Sequence, residues 1–214
     1  KNYAISAGES AGVAEKLSQV PATAEEIGIH KYYKIEKTAA PAQDYDLWIS
    51  GVQVTSKNAD DVLKDGTVSF DDETKTLTLS GANITEKANM GVWASVYSKL
   101  SGLNIKLEGE NTVGAPFDGS LGYSGYNGIY SEGTLTFVGE GTLNLNIAPE
   151  WTFAYGIGSK GLLTIGDTVT IKTDHQATAG THEGIFAEGG LTIGGDANIN
   201  LKMSGGGTIG ICAA

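Results

Sequence analysis

GIYSEGTLTFVGEGTLNLNI at 128–147, GIGSKGLLTIGDTVTIKTDH at 156–175 and GIFAEGGLTIGGDANINLKM at 184–203 are three copies of one unit. Ile129, Ile157 and Ile185 correspond, as do Gly133, Gly161 and Gly189, Thr136, Thr164 and Thr192, and Leu143, Ile171 and Ile199. Outward from these copies the unit is traced through Leu77, Ile105, Leu135, Leu163 and Leu191, at spacings of 28, 30, 28 and 28 residues. A fixed period of this size means stacked identical units, and it decides the fold before any local propensity is counted.

Each copy holds three short alternating runs separated by glycines: 129–131, 135–137 and 143–147 in the first. Alternation means strands with one face in and one out. Ile129, Leu135, Phe137, Leu143 and Leu145 are the expected inward residues; Thr136, Asn144 and Asn146 point out. No segment of the repeat carries helical spacing. Three strands per turn with glycine corners predict an all-β, single-stranded parallel β-helix of about 28 residues per coil, since one coil cannot bury its apolar side without a neighbour stacked roughly 4.8 Å away. The rule for parallel crossovers makes it right-handed. Gly133, Gly161 and Gly189 are expected to take backbone angles that other residues avoid. Thr136, Thr164 and Thr192 should form an outer ladder, and Asn146, Asp174 and Lys202 should stack.

Upstream, DLWISGVQVTS at 46–56 and GTVSFDDETKTLTL at 66–79 read as strands, the latter folded at Asp71-Asp72-Glu73-Thr74. Such an N-terminal hairpin is the expected cap, because an open first coil exposes strand edges. Residues 1–43 read as a separate flank before the β-helix domain at 44–214. Within it, 10–17 suits a short helix capped by Ser10, 31–35 a strand, and 39–43, with Pro41, a linker.

Composition narrows the functional classes. The 214 residues include 31 glycines, and all 14 basic residues are lysine. No guanidinium is present to clamp a phosphate or carboxylate bidentately. A net charge of −11 argues against nucleic acid as a partner. No apolar run approaches the length of a membrane span. The single Cys212 allows neither an internal disulfide nor a cysteine-based zinc site, and reads as a small buried apolar residue.

The segment YDLWISGVQVTSKNADDVLKDGTVSFDDETKTLTLSGANI at 45–84 resembles a family of bacterial extracellular proteins described as carbohydrate-binding domains. Their opening, which Leu47-Trp48-Ile49-Ser50-Gly51-Val52-Gln53-Val54-Thr55 matches, precedes a hairpin and then glycine-rich coils. The resemblance covers roughly 45–211 and extends to polysaccharide-binding parallel β-helix proteins of Gram-positive gut bacteria. It implies a secreted or cell-surface location, a glycan partner, neighbouring modules in a longer chain, and bound calcium. The start, at 3–37, is similar to the tail of a preceding module; as an alternative, 1–43 is an N-terminal flank.

Chemistry has one irregular place to sit. The connection before each Gly-Ile varies: GAPFDGSLGYSGYN at 114–127, APEWTFAY at 148–155, and part of TDHQATAGTHE at 173–183. In a β-helix these connections leave along one edge. Their aromatics could stack on the apolar faces of sugars, which makes Tyr123, Tyr126, Trp151, Phe153, Tyr155 and His182 the candidate carbohydrate-binding residues. The competing reading is that these rings fold over the sheet and cover it. His175 aligns with core-facing Ile147 and Met203 and reads as packing, whereas His182 is expected to be exposed. Glu140, Asp167 and Asp196 fall at one equivalent turn to within a residue and are the candidate calcium ligands, since calcium takes six to eight oxygens; against this, turns favour Asp for their own hydrogen bonds. No nucleophile elbow and no repeated carboxylate pair is present, so no catalytic residue is assigned. The expected function is noncatalytic extracellular polysaccharide binding. The alternatives are a pectin-type lyase or glycoside hydrolase on the same scaffold, and a purely structural adhesion or stalk repeat.

Overall fold

A computed structural model of the chain describes residues 3–8, 15–16, 32–37, 40–117, 119, 125–178 and 180–214. The chain divides into two compact units, 1–42 and 43–214. In the first, β1 (Tyr3–Gly8) pairs antiparallel with both β2 (Glu15–Lys16) and β3 (Tyr32–Lys37). The helix expected over 10–17 is contradicted at Glu15 and Lys16, whose partners are Ala7 and Ser6; the rest of that segment lies outside the described residues.

The second unit is a parallel β-solenoid of about 5 turns. It opens on two antiparallel hairpins. The first joins β4 (Asp44–Ile49) to β5 (Val52–Thr55) through Ser50-Gly51. Both turn residues have positive φ, 52° and 78°, as the two-residue turn matching strand twist requires. The second joins β6 (Val68–Asp71) to β7 (Thr76–Ser80). There Asp71 Oδ1 accepts the Glu73 N–H at 2.8 Å, and its Oδ2 accepts the Thr74 hydroxyl at 2.9 Å. These bonds favour the ionised carboxylate, so the Asp71 pKa is lowered, the Thr74 bond contributing most.

After β8 (Asn83–Ile84) and β9 (Ala88–Asn89), every coil contributes one strand to each of three faces. The first face stacks β10 (Trp93–Ser98), β13 (Gly125–Ser131), β16 (Phe153–Ser159), β19 (Thr181–Ala187) and β22 (Thr208–Ala213). The second stacks β7, β11 (Gly102–Glu108), β14 (Thr134–Gly139), β17 (Leu163–Ile165) and β20 (Leu191–Ile193). The third stacks β8, β12 (Glu110–Val113), β15 (Thr142–Leu145), β18 (Thr170–Gln176) and β21 (Asn198–Ser204). Ile129, Leu135, Phe137, Leu143 and Leu145 all lie in the core, as their alternation requires. Thr136, Thr164 and Thr192 are register partners on the outer surface, and Asp174 stacks on Lys202 with an ion pair of 2.8 Å.

Two expectations about the repeat are corrected. Ile105 pairs with Phe137, and it is Leu103 that pairs with Leu135, so this coil is 32 residues long. The register thus differs by two residues from the one the period predicts. An even slip preserves which side chains face inward, and for that reason the core assignment survived it. Gly133, Gly161 and Gly189 are absent from the positive-φ positions. Their constraint is space: a Cβ on Gly161 would lie 2.7 Å from the Gly133 carbonyl carbon, and one on Gly189 would lie 2.5 Å from that of Gly161.

Among the buried polar residues, Asn111 stands in a column of core aliphatics. Asn111 is a register partner of Leu143, yet it is fully buried. Its Oδ1 accepts the Ala82 N–H at 2.8 Å, and its amide donates to Glu108 O at 3.1 Å. It thus satisfies the backbone at a corner, where a leucine would leave donor and acceptor unpaired.

Candidate functional site

The connections expected to be loops are partly strand. Register runs Gly125–Phe153–Thr181, Tyr126–Ala154–His182 and Asn127–Tyr155–Glu183. Pairing then skips Gly128, Gly156 and Gly184, where a Cβ would strike the next coil's carbonyl oxygen at 2.6–2.8 Å. This break in the ladder lets Tyr126 and Ile129, three residues apart, both turn inward.

Tyr126 enters a second, smaller core with Ala115, Ile147, Trp151 and Ala154. Its ring stacks on Trp151 with centroids 5.1 Å apart, and Phe117 meets Trp151 edge-on at 5.0 Å. The Tyr126 hydroxyl accepts the Ala115 N–H at 2.8 Å and lies 2.8 Å from the Ser95 hydroxyl. Burial pushes its pKa up to about 12. Tyr126, Trp151 and His182 are all essentially without exposure. Among the candidate sugar-binding residues, these three have no ring face open to a glycan. His182 is therefore corrected from exposed to enclosed, while His175 is buried as expected. Tyr123 lies outside the described residues. Phe153, 44% exposed, and half-exposed Tyr155 remain on the outer surface.

These two border a surface that the loop-centred reading missed. On the outer side of the first face, register aligns Trp48, Tyr97, Tyr130, Gly158, Phe186 and Cys212 in one column. Trp48 and Tyr97 lie 5.6 Å apart, and Tyr97 and Tyr130 6.1 Å, with planes within 28° and 23° of parallel. Tyr130 leans over Gly158, whose absent side chain leaves room: a Cβ there would sit 2.8 Å from the Tyr130 ring. Phe186 stacks on Tyr155 at 4.9 Å. Tyr97 is closed between its neighbours, while Trp48, Tyr130, Tyr155 and Phe186 are part-exposed. Cys212 is also part-exposed on this column, correcting the expectation of a buried position.

Polar groups border the rings. The Tyr97 hydroxyl donates to Glu132 Oε1, and Lys99 Nζ stands 5.8 Å from the Trp48 ring centre and 5.6 Å from that of Tyr97, within reach of a cation–π contact. Burial, followed by the Glu132 bond, drives the Tyr97 pKa well above the usual tyrosine range. Burial likewise raises Tyr130 and Tyr155. The phenols thus stay protonated at neutral pH and remain able both to donate and to accept. Glu183 is 7% exposed, one of its oxygens is unpartnered, and burial raises its pKa.

The candidate calcium ligands lie at stacked turns. Glu140 and Asp167 line an open groove of about 720 Å³ that Lys106 also lines, its ammonium 2.6 Å from Glu108. Asp167 Oδ2 accepts the Gly139 N–H at 2.8 Å, and the Asp167 carbonyl accepts the Asp196 N–H at 2.7 Å. Among the described residues no group of three or more His, Cys, Asp or Glu side chains is placed to hold a metal ion.

The sequence signal for the outer column was present: Trp48-Ile49, Val96-Tyr97, Ile129-Tyr130 and Ile185-Phe186 each set an aromatic beside a core aliphatic. No family model, curated protein or solved structure matches this chain.

Proposed function

We propose that this chain is a noncatalytic carbohydrate-binding module acting outside the cell, and that glycan lies along the outer aromatic column of the first face. The observation that carries this reading is the series Trp48, Tyr97, Tyr130, Tyr155 and Phe186, contributed by successive strands of one sheet. A rigid sheet holds these rings in fixed spacing, so little ordering entropy is lost on binding. Partly exposed rings offer apolar contact to sugar C–H faces, and protonated phenols with neighbouring Glu132 and Lys99 supply hydroxyl partners. The absence of arginine and the net charge of −11 favour neutral over acidic glycans.

The test is affinity electrophoresis against neutral and acidic polysaccharides, with and without calcium. Tyr130→Ala and Phe186→Ala should each weaken retention on a neutral glycan about five- to tenfold, the equivalent of about 1 kcal/mol per lost ring contact. Retention unchanged in both variants refutes this site. Release of reducing ends or unsaturated products would establish the lyase or hydrolase alternative. Silence across the panel would leave the structural repeat.

A further inference from the structure

Behind the first face, in the corner closed by the 148–152 connection, four ring nitrogens form a continuous chain. His175 Nδ1 lies 3.0 Å from Ile147 O, His175 Nε2 lies 2.8 Å from His182 Nδ1, and His182 Nε2 lies 2.6 Å from Trp151 O. The rings are within 15° of parallel with centroids 4.7 Å apart, and they are 2% and 0% exposed. Both ends of this chain are backbone carbonyls, which only accept. Each outer nitrogen must therefore carry a proton. A neutral imidazole has only one N–H, so two neutral rings would leave bare lone pairs facing each other at a hydrogen-bonding distance.

We propose that His175 and His182 bind one additional proton between their inner nitrogens, forming a buried imidazole–imidazolium pair that clips the 148–152 connection to the solenoid. A second additional proton is excluded, because every inner lone pair is then gone and two cations would share a site closed to water. In agreement, His175's own proton affinity is lowered, by burial first and then by the charge of His182. Lys87 Nζ stands 5.4 Å from the centre of the Trp151 ring. On the outer sides of the strands carrying the histidines lie Glu183 and the exposed Asp174–Lys202 pair. Thr208 and Met203, the register partners on the following coil, bring no further titratable group.

The pair gives stability a distinct pH signature. The unfolded chain binds both extra protons well below about pH 6.5 and neither well above it, whereas the native pair holds one throughout. In the proposed geometry the native pair keeps one proton after unfolded histidines have lost theirs, so its stabilisation is full at low pH and is lost as pH rises. The excluded proton has a depressed native affinity, so stability is lost as pH falls below about 6.5. The pair's contribution thus peaks near about pH 6.5 and falls toward a tenfold change in the unfolding constant per pH unit on either side.

The experiment is long-range proton–nitrogen correlation NMR on the full chain with nitrogen-15 histidine, from about pH 5.5 to about 8.5. Expected are protonated outer nitrogens throughout and inner nitrogens with shifts averaged by one shared proton. Two neutral rings at about pH 7.5, or two imidazolium rings at about pH 5.5, would overturn the proposal. So would stoichiometric zinc uptake that shifts the inner nitrogens, since a metal would then replace the proton. Urea unfolding of wild type and His182→Asn adds a second reading: the difference between them should peak near about pH 6.5, and a flat difference contradicts the pair. Should His182→Asn fail to fold, the wild-type spectra decide alone.

Discussion

Gly161 tests whether the glycine columns exist for close approach of stacked coils. In Gly161→Ala the new Cβ would meet the Gly133 carbonyl carbon at 2.7 Å, the Thr134 nitrogen at 2.7 Å and the Gly133 oxygen at 2.8 Å. All three are backbone atoms locked in the coil below, so no side chain can swing away. Restoring ordinary contact needs about 0.8 Å of separation, judged against carbon contacts of about 3.5 Å. The Gly161 N–H to Gly133 O bond is already 3.2 Å long, and the same movement would carry it beyond hydrogen-bonding range. Overpacking of this kind costs about 1–3 kcal/mol, and the lost bond about 1 kcal/mol. The expected loss is therefore about 2–4 kcal/mol, read as a lower urea midpoint at unchanged slope. Two controls separate space from backbone angle. Gly194→Ala meets nothing within 4 Å and has no positive φ, so it should change stability by less than about 0.5 kcal/mol. Gly81→Ala also has open space but φ of +69°, and should lose about 1–2 kcal/mol from conformation alone. If Gly161→Ala matched Gly194→Ala, the coils would be free to adjust and the close-approach reasoning would fail.

Two further outcomes test polar groups in unusual places. Asn111→Leu makes the site resemble Leu143 above it but strips the Ala82 N–H of its acceptor; calorimetry should show a loss of about 1–3 kcal/mol, and a gain would mean that packing outweighs the buried donor. Glu183 has a raised native pKa, so its contribution is fully present below the unfolded glutamate pKa and is lost as pH rises through the native value. Glu183→Gln should therefore gain thermal stability relative to wild type as pH rises from about 4 to about 8, and a melting-temperature gap independent of pH would exclude burial as the cause.

The strand pattern shows what was legible without coordinates and why. Inward Ile129, Leu135 and Phe137 were readable because pleating alternates side chains whatever lies next to the strand. The Ile105 register was not, since the 32-residue coil carries an irregular connection that breaks the period without breaking the alternation. Trp151 and His182 looked like loop residues because they precede the regular Gly-Ile step, yet His182 sits in β19 and both are enclosed in the second core or against it.

The solenoid, its inner and outer faces and the hairpin at 66–79 were readable from the sequence, because period, alternation and turn residues are local properties. Which polar and aromatic groups meet depends on how the coils stack. Tyr97 is 33 residues from Tyr130 and becomes its neighbour through stacking, and the two histidine nitrogens face each other only because the coil turns a corner between β18 and β19. Such meetings depend on the lengths of the connections between strands, and those lengths vary from coil to coil even where the strands do not.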